Sequence, residues 1–181
     1  SAPFDLPKDL PRPLWIALLG GTLGNFPPDD AVRLLKRVRA HLEPGDRFLL
    51  GIDRRPGPGK SVEMLERAYN DDQGVTARFN LNVLEVLNRE LGADFDPSAF
   101  AHRAFYEPVE GRVEMHLVAR SPQLVRFASG DVVRFEEGET VRTEISCKYD
   151  RPTIDGIFRG AGLVVERWAS DPKELFALVL A

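Results

Sequence analysis

A chain of 181 residues with 24 Lys and Arg against 28 Asp and Glu, a net charge of −4 and 43% apolar residues can bury a sizeable core. Its aromatic and aliphatic content sets disorder aside, and with no basic excess to hold a polyanion or an anionic bilayer, nucleic-acid binding and membrane-surface roles are set aside too. One cysteine, Cys147, leaves no internal disulfide, no signal core opens the chain, and the longest apolar run is far short of the roughly 20 residues that span a bilayer; a cytoplasmic protein is expected.

Pro3, Pro7, Pro11 and Pro13 keep the leading segment extended until Leu14–Leu19, a uniformly apolar run that predicts a strand buried on both faces. Past GGTLGNFPP, Ala31, Leu34, Leu35, Val38 and Leu42 recur at helical spacing opposite Arg33, Lys36, Arg37 and Arg39, with Asp29 or Asp30 as the cap. Glu43-Pro44-Gly45-Asp46 ends that helix, and Arg47–Asp53 reads as a second strand. Strand, helix and strand make a βαβ unit with an expected right-handed crossover.

At Arg54–Lys60 the rhythm breaks, and a boundary is placed there. Two helices are expected next, at 61–69 and 75–91, the second with Phe79, Val83, Val86 and Leu87 on one side. Period two then takes over. Val113, Met115, Leu117 and Ala119 alternate with Glu114, His116 and Arg120, and 123–127, 131–135 and 140–148 continue as an antiparallel meander. Ile154, Ile157 and Phe158 return to helical spacing before Gly160-Ala161-Gly162, and two apolar strands flanking Asp171-Pro172 form a terminal hairpin.

The turn Gly20–Phe26 follows a parallel strand and precedes a helix, which is where open α/β sheets place ligands. Its glycines miss the G-x-G-x-x-G spacing because position 19 is Leu19. Asn25 has two readings, a carboxamide for an amino-acid head group or a helix cap. Gly57-Pro58-Gly59-Lys60-Ser61 lacks the earlier glycine of a phosphate loop, position 54 being Arg54, and reads as a hinge. Asp71 and Asp72 read as solvated charge. His41, His102 and His116, assigned to a helix, a loop and a strand, form no metal set. On the strand through Thr143–Cys147, Glu144 and Ser146 share a face, a small polar clamp suited to imidazole; strand geometry alone favours an exposed face without a ligand. No G-x-S-x-G motif or Cys/His arrangement supports covalent catalysis.

Together the stretches ALLGGTLGNF, AYNDDQGVTARFNLNVLEVLNRELGADFD, VEMHLVARS and VRTEISCKY resemble the S-adenosylmethionine-dependent L-histidine Nα-methyltransferases of ergothioneine biosynthesis, in that family's order and over nearly the whole chain. The resemblance implies an α/β fold: the carboxyl-terminal part of a class I (Rossmann-like) methyltransferase sheet, at 1–55 and 149–181, with an inserted α+β substrate-binding lobe at 56–148. It implies that Asn25 holds the α-amino or carboxylate end of L-histidine, Tyr69 its carboxylate, and Glu144 with Ser146 its imidazole, while Met115 lines the pocket and Gly20 lies beside the methionine part of S-adenosyl-L-methionine. No metal is implied. Glu144 and Met115 favour histidine over indole substrates.

The family's glycine-rich cofactor loop, ribose-binding acid and several pocket aromatics precede the strand at Leu14 and have no counterpart here. The expectation is a carboxyl-terminal part, inactive by itself, whose first strand is a bare sheet edge covered by a homo-oligomer or a complementing amino-terminal segment. The rival reading is a non-catalytic histidine-binding or interaction module.

Overall fold

The computed structural model describes residues 6–7 and 9–181, so the extended course expected at Pro3 lies outside the described residues. In chain order the elements are β1 (Trp15–Leu18), α1 (Pro28–Arg39), β2 (Arg47–Asp53), α2 (Val62–Tyr69), α3 (Val75–Leu91), β3 (Phe100–Glu107) and β4 (Arg112–Ala119). β5 (Gln123–Arg126), β6 (Val132–Phe135), β7 (Thr140–Cys147), α4 (Arg151–Gly160), β8 (Arg167–Ser170) and β9 (Phe176–Leu180) follow. The described residues divide into two compact units: those up to Ser61 with Glu110–Arg112 and Ser146–Ala181, and Val62–Val109 with Val113–Ile145.

The first unit is a four-stranded sheet in the order β1-β2-β9-β8. β1 runs parallel to β2, Trp15 opposite Arg47. β9 is antiparallel to both β2 and β8, which closes the terminal hairpin. Phe48, Leu50 and Ile52 alternate into the core, and the Phe48 ring lies 6.1 Å from that of Phe158 on α4. α1 adds Ala31, Leu35 and Val38, and α4 adds Ile154 and Ile157.

Two expectations fail here. β1 is not buried on both faces: Trp15 is 59% exposed, because among the described residues the strand has a neighbour on one side only. Neither Asp29 nor Asp30 caps α1. Pro28 opens the helix with no side-chain cap, and the two carboxylates sit in the first turn, where the amide dipoles favour them.

The second unit pairs β3-β4-β7 in one sheet and β5 with β6 in a separate antiparallel ribbon, so the expected single meander is divided. β3 was not foreseen, since FAHRAFYE shows no clean alternation. Phe95, Phe100 and Phe135 pack in edge-to-face and tilted pairs with centroids 5.5–6.2 Å apart around Leu84, Leu117 and Val125. α3 turns a different face inward than its apolar spacing suggested: Phe79 is 67% exposed, whereas Asn80 and Leu84 are buried.

Asp71 is more than solvated charge. Its carboxylate accepts the amides of Val75 and Thr76, both at 2.8 Å, and so caps the start of α3. Those bonds hold its pKa at about 2 against an ordinary 3.8. A depressed carboxyl pKa means the stabilisation is whole above the ordinary value and fades as pH falls toward 2. Hydrogen exchange should therefore show the Val75 and Thr76 amides losing protection across that interval. In Asp71→Ala the protection is expected to be absent at every pH.

Candidate functional site

The turn after β1 is built by backbone rather than side chains. Gly20 and Gly21 adopt φ of 75° and 72°, a left-handed pair that lets the chain leave the strand abruptly, and a 3-10 turn spans Thr22–Asn25. Gly24 then lies against the end of β7: a Cβ added there would stand 2.8 Å from the Cys147 carbonyl oxygen and 3.5 Å from Ser146 Oγ. The Tyr149 hydroxyl donates to the Leu23 carbonyl at 3.0 Å, fastening the same turn. Asn25 is left exposed beside this seam. α1 takes no side-chain cap, so the capping reading of Asn25 falls, and its carboxamide has no hydrogen-bond partner among the described residues.

Gly24→Ala is expected to destabilise the first unit by about 1–3 kcal/mol, because the obstacle is backbone and cannot swing aside. Thermal unfolding checks this.

Ser146 Oγ accepts from Lys148 Nζ at 2.9 Å, and Lys148, fully buried, also pairs with Asp53 at 2.7 Å. Lys60 pairs with the other oxygen of Asp53 and donates to the Arg54 and Leu175 carbonyls at 3.0 and 3.3 Å. Burial is the largest influence on Lys60 and pulls its pKa below the ordinary lysine value, against the opposing pull of Asp53. The lysine of GPGKS is thus sealed inside the unit. Gly20 and Gly21, with Leu19, Gly51, Phe176 and Leu178, border an apolar cavity of about 620 Å³ beside the carboxyl end of β1.

In the second unit Tyr69 ends α2 and packs with Met115 of β4 on a cluster of Leu65, Ala104 and Val113. Asn70 locks that helix end, donating to the Glu66 and Ala104 carbonyls and accepting the Ala104 amide. Glu144, on β7, is half-buried with no ion pair or hydrogen bond among the described residues. Glu114 is buried and bonded to His116 at 2.9 Å and to Arg142 at 3.0 Å.

Tyr69 and Met115 therefore meet within one unit, and the Gly24–Asn25 turn meets Ser146 within the other. His102 sits on β3 rather than in a loop, and His41 lies in the turn after α1. Among the described residues no three His, Cys, Asp or Glu cluster as a metal set, and no helix is long and apolar enough to cross a membrane. Sequence reasoning missed Asp53, Lys60 and Lys148 as a network and Asn80 as a buried polar residue. Asp53 and Lys148 stand far apart along the chain, so no local spacing announces them; the one available signal for Asn80 was a polar residue between apolar helical positions.

A family model described as "Histidine-specific methyltransferase, SAM-dependent" matches residues 4–181. The Histidine N-alpha-methyltransferase of Mycolicibacterium smegmatis is 44% identical over 167 residues, 92% of this chain and 51% of that protein. L-tryptophan methyltransferase trpM of Psilocybe serbica is 30% identical, over 97% of this chain and 48% of its own length. Ergothioneine biosynthesis protein 1 of Neurospora crassa is 27% identical, over 90% of this chain and 18% of its own length. The chain spans about half the length of the first of these relatives, at 51%.

Proposed function

Because the chain belongs to the histidine-specific, S-adenosylmethionine-dependent methyltransferase family, we propose that it carries the amino-acid grip of an enzyme that trimethylates the α-amine of L-histidine to hercynine. The observation that carries this reading is Glu144. A half-buried carboxylate without an internal partner is costly unless a ligand supplies a donor, and an imidazole N–H is such a donor. Ser146 serves the same ring, Tyr69 and Asn25 the amino-acid end, and Met115 the pocket wall. Residues 56–148 act as the substrate-binding lobe, and 1–55 with 149–181 as part of a class I methyltransferase core.

The residues present fit one end of S-adenosyl-L-methionine: bare backbone at Gly20 and Gly21 borders an apolar cavity that admits the methionine portion. No segment of this chain has the G-x-G-x-x-G spacing. When bound, the co-substrate supplies an electrophilic methyl group. The chain's own task is placement. An α-amine with a pKa of about 7.7–8.0 sheds its proton with little help, and Asn25 and Tyr69 then hold the nitrogen in line. Methyl transfer moves the positive charge from sulfur to the amine nitrogen and creates no oxyanion, so positioning dominates. β1, paired on one side only among the described residues, is where a second copy or an amino-terminal segment adds to the sheet, and the cytoplasm is the setting for this chemistry.

Calorimetry on this chain tests the reading. L-histidine is expected to bind and Asn25→Ala to weaken it, with S-adenosylhomocysteine binding weakly. Absence of histidine binding overturns the proposal, and tight S-adenosylhomocysteine binding overturns the assignment of the cofactor site to other polypeptide. Histidine binding without methyl transfer, once an amino-terminal half from the M. smegmatis relative is supplied, favours the non-catalytic module.

A further inference from the structure

Asn80 is 3% exposed, and every polar atom of its side chain is engaged. Nδ2 lies 3.1 Å from the His116 carbonyl oxygen and 2.9 Å from His102 Nδ1, while Oδ1 accepts the Thr143 hydroxyl at 2.5 Å. The orientation follows from chemistry alone. A carbonyl cannot donate, so the atom facing His116 must be the amide nitrogen, and its second hydrogen points at His102 Nδ1. That nitrogen must therefore be the bare one. The ring proton sits on Nε2, which is 2.8 Å from the backbone carbonyl of Tyr69 and donates to it. Thr143 Oγ1 lies in addition 3.0 Å from the Met115 carbonyl.

One carboxamide thus ties α3 to the end of α2 at Tyr69, to β4 at His116 and Met115, and to β7 at the residue before Glu144. From this we infer that Asn80, acting through His102 and Thr143, is the positioning residue of the amino-acid site: it fixes the backbone from which Tyr69, Met115 and Glu144 project. The inference rests on the reading of those three as histidine-binding residues. It adds three residues that touch no ligand. A polar hub in an otherwise apolar helix face costs desolvation unless fully satisfied, and this one is fully satisfied, which favours a single arrangement over a looser, more apolar packing.

The test has three parts. Nitrogen NMR of the His102 ring is expected to show one neutral tautomer protonated at Nε2, averaging between tautomers in Asn80→Ala. Calorimetry with L-histidine on the chain is expected to show about tenfold weaker binding for Asn80→Ala and for Thr143→Val, about the loss of one to two hydrogen bonds. Thr143→Ser, which restores the hydroxyl, is expected to recover binding to within about twofold of the parent. Thr143→Val removes one hydroxyl with little change in shape, so it answers the question if Asn80→Ala does not fold.

A proton on Nδ1 of neutral His102, or unaltered histidine binding in Thr143→Val, overturns the inference. Tyr69→Ala tells the two failures apart. If Tyr69→Ala weakens histidine while Asn80→Ala and Thr143→Val do not, the positioning role alone is lost. If Tyr69→Ala is without effect, the reading of the site beneath it is lost as well.

Discussion

Asp53→Ala is expected to lower the unfolding free energy of the first unit by about 3–5 kcal/mol, the usual penalty for leaving a buried charge uncompensated. Asp53 lies between two ammonium groups whose side chains are 7% and 1% exposed, Lys60 and Lys148. Remove it and the two cations face each other without their shared anion. Lys148→Met is expected to cost less, because it leaves the Asp53–Lys60 pair intact and deletes the charge it would otherwise strand. Denaturant unfolding of the two variants checks the ordering, and a Lys148→Met loss equal to or larger than that of Asp53→Ala contradicts it.

The pH dependence has a definite sign. Lys60 is held below its ordinary 10.5 in the native state, so the unfolded chain binds more protons as pH approaches that value and native stability gains from this residue as pH rises. Without Asp53 the depression deepens and the gain starts at lower pH. The gap between Asp53→Ala and the parent should narrow between neutral pH and about 9.5.

Glu144→Ala is expected to weaken L-histidine about 30-fold, a charge-assisted hydrogen bond being worth about 2 kcal/mol. The same change should leave an amino acid without a ring nitrogen, such as L-leucine, nearly unaffected. The reason lies in the carboxylate's surroundings. Glu114 is buried too, but His116 and Arg142 already answer its charge, whereas Glu144 has no such answer among the described residues. Calorimetry with both ligands decides it: equal losses remove Glu144 from ring recognition.

Most of the elements were legible because their signals are local. β2 and α3 occupy the very residues the patterns marked out. What stayed hidden depends on neighbours distant in sequence. An apolar run such as β1 looks the same whether a sheet continues past it or stops, so its exposure could not be read from composition. α3 has apolar residues around much of its circumference, and periodicity does not say which side meets the core; the choice fell to Leu84 and the hydrogen-bonded Asn80.

The site divides in the same way. Asn25, Tyr69, Glu144 and Ser146 were marked by residue type, motif and resemblance. The groups that steady two of them, Lys148 under Ser146 and His102 under Tyr69, are joined by contacts no spacing announces.

The place of β9 governs the order in which this polypeptide can acquire its shape on the ribosome. Residues 176–180 lie between β2 and β8, so the first sheet has an empty slot until they emerge, more than 120 positions after β2 was made. Nearly all of the second unit comes from the uninterrupted stretch 62–145 and has its partners at hand much earlier. Nascent chains in which residue 160 has just cleared the ribosome should therefore already protect the second unit from protease while leaving β2 open to cleavage. The late closure of a long-range strand makes the first sheet the slower of the two units to form.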